Sequence, residues 1–122
     1  MAVEKFTGAQ TDAQPSTVDL TGKEFFLAKR VAGGFALAGA GEKVAGVISE
    51  GKAVGLHTSI KTGNQLKAVA GAAIAVGDKV ASDAAGKVKV AAAGNYVFGT
   101  AMSAAANGEL VTIDVDQEGV MA

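Results

Sequence analysis

His57 is the single histidine and cysteine is absent, which narrows the chemistry this chain can build from its own side chains. A serine hydrolase would have to combine His57 with Ser49, Ser59 or Ser103, and none of these serines stands in a nucleophile-elbow context. A histidine-based metal cluster lacks a second histidine, and neither thiol chemistry nor a disulfide framework is available. In Val54-Gly-Leu-His-Thr58, strand alternation puts His57 beside polar neighbours and opposite Leu56, the setting of an ordinary surface or interface histidine.

Other candidates fail on spacing. Asp114, Asp116 and Glu118 offer carboxylates two residues apart, but without the glycine-centred loop that wraps a calcium ion they read as a solvated acidic edge that discourages strand aggregation. Gly71 to Gly77 followed by Asp78-Lys79 has one residue too many for a phosphate loop, and an acid precedes the lysine. Val76-Gly-Asp-Lys-Val80 is similar to the turn of biotinyl and lipoyl carrier domains, yet those carriers place a lysine between small or Met residues at a hairpin tip, and Ala101-Met-Ser103 has none. With no Trp and one Tyr, a sugar-stacking cleft for paired carboxylates has little to be made from. The residues therefore lead us to expect no catalytic, metal or cofactor-binding set and no enzymatic activity.

The framework around them is light. Of 122 residues, 49% are hydrophobic, but 26 of these are Ala, so the larger apolar side chains make a thin core. An Ala methyl contributes about 0.8 kcal/mol on burial against roughly 1.5–3 for Val or Leu, which favours help from self-association or a partner surface. Seventeen Gly against one Pro suit a chain that turns often and packs its backbone closely. Charge is balanced in both halves, so no basic surplus points to nucleic acid. The uncharged run from Val90 to Gly108 holds Asn95, Thr100, Ser103, Asn107 and several glycines, too polar to span a bilayer. Met1-Ala-Val-Glu-Lys-Phe6 lacks the apolar stretch of a secretory signal, so synthesis in the cytoplasm is expected.

Residues 1–18 contain few large apolar side chains and the only proline, Pro15, and read as an extended N-terminal arm; 19–122 read as one β-rich domain. Phe25–Val31 and Phe35–Ala38 read as strands joined through Gly33-Gly34, with a helix capped by Thr21 and Glu24 as the alternative. Further strands are expected at 44–49, 53–59, 66–69, 79–82, 87–91, 96–102 and 110–116, the last marked by Val111, Ile113 and Val115 alternating with polar residues. Many short strands without a long helical period predict an all-β fold, a small β-sandwich or β-barrel, although the Ala-rich stretches 68–75 and 101–106 leave room for a helical turn. Two weak echoes, Gly41-Glu-Lys-Val-Ala45 with Gly77-Asp-Lys-Val-Ala81 and Val44–Val47 with Val97–Thr100, suggest equivalent turns into strands and not a solenoid.

The order of segments carries a resemblance. Asp19-Leu-Thr-Gly-Lys-Glu-Phe-Phe-Leu-Ala-Lys-Arg30, Gly39-Ala-Gly-Glu-Lys-Val-Ala-Gly-Val-Ile48, the stretch from Ala75-Val-Gly-Asp-Lys-Val80 to Lys87-Val88, and Gly94-Asn-Tyr-Val-Phe-Gly99 onward resemble the capsid cement or head decoration proteins of tailed bacteriophages, from about Asp19 to Asp116. The resemblance implies a structural protein that binds the outer surface of the assembled capsid in the virion. Its partners would be the major capsid protein and itself, as a homo-oligomer with a trimer favoured over a dimer. A head fibre base, a tail protein or a small carrier or binding module are the alternatives. Within the arm, Val3, Phe6 and Thr7 are candidate capsid-binding residues, Val3 and Phe6 as apolar anchors in polar surroundings, with a tail folded back onto its own core as the equal alternative.

Overall fold

The computed structural model describes residues 10–121. It contains ten strands and, among the described residues, no helix: β1 Gln10–Pro15, β2 Leu27–Val31, β3 Gly34–Leu37, β4 Gly46–Glu50, β5 His57–Thr62, β6 Gln65–Val69, β7 Lys79–Ser82, β8 Val88–Val90, β9 Tyr96–Ala101 and β10 Leu110–Val120. They form two antiparallel sheets of five strands, ordered β1-β5-β4-β2-β3 and β6-β10-β9-β7-β8. The expected all-β class is present as a sandwich-like pair of sheets.

Local sequence explains most of these elements. Gly33 and Gly34 take φ of 89° and 150° and close the expected β2–β3 hairpin. The capping-box alternative is not realised, because Glu24 Oε2 instead accepts from the Gly51 N–H at 2.9 Å. β5 begins later than expected, since 53–56 form a turn in which the Leu56 N–H donates to the Ala53 carbonyl at 3.1 Å. The Ala-rich stretches are strand ends and loops, tied by a bridge between Ile74 and Ala105. Of the residues expected to form an arm, Gln10–Pro15 is a strand of the first sheet, paired with β5 from Gln10 opposite Thr62 to Pro15 opposite His57. β10 runs between β6 and β9, so Asp114 lies on the wet face of an inner strand and not on the sheet edge expected for the acidic series.

The second sheet repeats the first, strand for strand and in the same register. Leu27 faces Val47 and Ala28 faces Gly46 in one, while Lys79 faces Thr100 and Val80 faces Gly99 in the other. Each sheet curls until the residue after its first strand bridges its third strand, Ser16 to Phe35 and Ala70 to Val88. Loop bonds repeat as well: the Phe25 N–H donates to the Ile48 carbonyl at 2.8 Å, and the Gly77 N–H donates to the Ala101 carbonyl at 2.8 Å. A Cβ on Gly46 or on its counterpart Gly99 would collide with the carbonyl of Lys61 or Asp114 in the neighbouring strand, so both positions require glycine. The chain is thus built from two equivalent units, 10–62 and 65–120. Of the two sequence echoes, Val44–Val47 with Val97–Thr100 marks this equivalence. The other does not: Gly41 corresponds to Gly94, because Glu42 accepts from the Gly39 N–H at 2.6 Å as Asn95 accepts from the Ala92 N–H at 2.9 Å.

Each unit has its own core. Leu20, Ala28, Phe35, Ile48 and Ile60 fill the first; their counterparts Ile74, Val80, Val88, Ala101 and Ile113 fill the second. The units join where Leu27, Ala38, Val44 and Val47 of the first pack into the core of the second. Backbone bonds fix this junction: the Leu27 N–H donates to the Gly86 carbonyl at 2.7 Å, the Gly41 N–H to the Ser82 carbonyl at 2.9 Å and the Val69 N–H to the Phe25 carbonyl at 2.9 Å.

Candidate interaction surface

At one end of the first unit, the chain leaving β1 and the turn entering β5 are laced together. The Ser16 N–H and hydroxyl both donate to the Leu56 carbonyl, at 2.8 and 2.9 Å, and the Gly55 N–H donates back to the Ser16 carbonyl at 2.9 Å. Ser16 Oγ also lies 2.6 Å from Thr58 Oγ1, which accepts from the Lys52 N–H at 2.9 Å. Ser16 and Thr58 are fully buried, so this small polar network is satisfied inside the unit and fixes the two loops against each other. Gly55, at φ 87°, supplies the left-handed residue the turn needs.

Three large apolar side chains are held outward by this frame: Val18, Val54 and Leu56, exposed by 43, 63 and 57%. His57, next along, is exposed at the start of β5. Asp19 borders the patch, and the hydroxyl and amide of Thr21 hold its carboxyl below the usual carboxylate range. Exposed apolar side chains on hydrogen-bonded loops make this end a candidate surface for contact with another protein.

The same end of the second unit is apolar too. Its loops carry exposed Ala72, Ala73, Ala75, Val76, Met102 and Ala106, with the Asp78 and Glu109 carboxylates accepting from the N–H groups of Ala75 and Ala106, at 2.9 and 2.8 Å. Between the units a groove of about 420 Å³ is lined by Phe25, Val47, Leu66, Lys61 and Lys67. Phe25 holds φ 69° there, an unusual value for a bulky residue, at the position where the second unit has Gly77 with φ 90°.

The sequence-derived sites fall as follows. Val3, Phe6 and Thr7 lie outside the described residues. Asp114, Asp116 and Glu118 are exposed, and Glu118 forms an ion pair with Lys79. The described residues contain no group of three or more His, Asp or Glu placed to hold a metal. Sequence reasoning missed Val18, Val54 and Leu56, because Val54 and Leu56 were read as part of a strand. Gly55 between them was the available signal, since a glycine inside a strand pattern marks a turn or bulge.

Among solved structures, the chain is similar to the head fiber gp8.5 N base of bacteriophage phi29, with a TM-score of 0.72 over 93% of this chain and 99% of that one. At 17% identity the likeness is one of fold. No curated protein matches the chain. The family model for phage cement proteins matches residues 7–117, and with that match spanning nearly the whole chain, the protein belongs to the phage cement protein family, structural components of the bacteriophage virion.

Proposed function

We propose that this protein binds the outer surface of the assembled capsid through its loop ends and stabilises the shell, with the major capsid protein as partner and no bond-making step. The observation that carries the reading is the patch of Val18, Val54 and Leu56, held outward on loops that the hydrogen bonds of Ser16 and Thr58 tie together. Such loops lose little freedom on binding, so the apolar area they bury is converted into affinity with a small ordering cost. A ligand that binds only the expanded shell stabilises it by mass action, and several footholds per oligomer multiply through effective concentration.

Val3, Phe6 and Thr7 add a second foothold in this reading. The nine residues before Gln10 can span about 30 Å when extended, more than the roughly 20 Å length of a six-residue strand such as β1. Val3, seven residues before Gln10, can therefore reach the Pro15 end of β1, where the apolar loops lie, whereas Phe6 and Thr7, four and three residues before it, extend only about 14 and 10 Å and would meet a capsid strand nearer the Gln10 end. The test is to mix purified protein with undecorated, expanded phage heads and to follow co-sedimentation and the melting temperature of the heads. Saturable binding with a raised melting temperature supports the proposal; heads that neither bind the protein nor change their melting temperature refute it.

A second reading, the base of a head fibre, is favoured by the fold likeness to the phi29 head fibre base. Electron micrographs of heads decorated in the infected cell separate the two, since a fibre base carries a projection and a cement protein a low cap.

A further inference from the structure

We infer that residues 3–7 of this chain dock, in the free protein, in the groove between the two units of their own fold, with Phe6 seated among Phe25, Val47 and Leu66. This concerns the protein before it meets a shell and goes beyond capsid binding.

The groove has two features that suit an extended peptide. The first is an apolar wall. An apolar cavity of about 150 Å³ admits a benzene ring, and this groove of about 420 Å³ has room for a phenyl side chain between Phe25, Val47 and Leu66. Phe25 belongs to neither core and is 44% exposed, yet it holds φ 69°, where the second unit has Gly77. Backbone strain of this kind persists at ligand clamps and binding sites.

The second feature is an open backbone edge. β6 is the outer strand of the second sheet. The Val69 N–H donates to the Phe25 carbonyl at 2.9 Å, across the junction, whereas the Ala70 N–H turns the other way, to the Glu109 carbonyl at 2.8 Å. Backbone groups alternate in direction along a strand, so those of Lys67 and Gln65 point to the same side as those of Val69. Both residues line the groove, and the described residues give their outward backbone groups no partner. An extended chain can pair along such an edge.

The segment that fits is the one that enters the fold beside the groove. β1 starts at Gln10 opposite Thr62, and the next pair sets Thr11 against Lys61, which lines the groove. Phe6, four residues before Gln10, extends about 14 Å, or nearly three strand spacings of about 4.8 Å. Gly8 lets the chain turn out of the line of β1 on the way. The chemistry matches as well. Extended geometry puts Glu4 and Phe6 on one face and Lys5 on the other. That face offers a ring to the apolar wall and a carboxylate to Lys61 and Lys67, which have no carboxylate partner among the described residues. The groove lining contains both lysines and no Asp or Glu. Val3, Phe6 and Thr7 become available to a capsid strand once the segment leaves this groove.

The test is NMR on the full chain. Wild type is expected to show nuclear Overhauser contacts from the Phe6 ring to the methyl groups of Val47 and Leu66. The Lys67 amide is expected to exchange with solvent at least about tenfold more slowly than in the F6E variant. Phe6 precedes β1, so this substitution leaves the two described cores untouched. In an equimolar mixture of labelled and unlabelled chains, the contacts are expected to stay within one chain. Missing contacts overturn the inference, as does equal exchange at Lys67 in wild type and variant. Contacts that run between chains also overturn it and assign the groove to a second copy. A free protein that lacks the contacts yet raises the melting temperature of phage heads overturns this inference alone and leaves capsid binding standing.

Discussion

The two units share a backbone but not a chemistry. Where the first buries the hydroxyls of Ser16 and Thr58, the second buries Ala70 and Val111; where the first strains Phe25 at φ 69°, the second relaxes into Gly77; where the first covers Leu37, the second exposes Val90. What both keep is glycine at close approaches, Gly46 and Gly99, and five apolar core positions each. The fold is therefore set by backbone proximity and a small core, and the remaining positions are free to differ between the units.

Breaking one of these equivalent core positions has the largest effect. Phe35→Ala removes the largest side chain of the first core and is expected to cost about 3–5 kcal/mol, and Ile113→Ala in the second about 2–5, both read by denaturant unfolding. A value below 1 kcal/mol for either would contradict the assigned cores.

The polar pair sharpens the comparison. Ser16→Ala leaves the Thr58 hydroxyl short of a buried partner and is expected to cost about 1–3 kcal/mol. Converting both positions to the second unit's residues, Ser16→Ala with Thr58→Val, should cost less than the sum of the two single changes, because the pair acts as one network. Strict additivity would mean that the hydroxyls are independent.

Strain gives a smaller and reciprocal effect. Gly77→Phe places a bulky residue in the left-handed region and is expected to cost about 1–2 kcal/mol, whereas Phe25→Gly should leave stability within about 1 kcal/mol of wild type.

The smallest effect is one of pH. The Lys29 ammonium and the Gly39 amide hold the Glu42 carboxyl below its usual range, whereas the equivalent Asn95 accepts the same kind of backbone bond without a charge. A carboxyl whose folded pKa is depressed contributes stability that is present at neutral pH and lost as pH falls through the folded value. Glu42→Gln should flatten the fall in melting temperature on the acid side of the usual glutamate range, and Asn95→Ala should shift melting equally at all pH values.

Much of this architecture was legible in sequence. The Gly33-Gly34 hairpin and the alternating Val111, Ile113 and Val115 announced their strands because turn chemistry and a two-residue period are local properties. β1 was not legible, since an outer strand with one neighbour needs no apolar alternation, and Thr11-Asp-Ala-Gln14 has none. The duplication was visible only as an echo around Gly46 and Gly99, the positions where a neighbouring backbone excludes every side chain. The exposed apolar loops were hidden because exposure of Val54 and Leu56 depends on a turn at Gly55, which apolar patterning alone reads as strand.

Central to the account is that these loops carry capsid binding while the core carries stability. The direct test is the affinity of a Val54→Glu, Leu56→Glu double variant for expanded phage heads, measured beside its own melting temperature. The account predicts binding weakened by at least about tenfold with melting unchanged, as for a desolvated contact centre; wild-type affinity in that variant would contradict it.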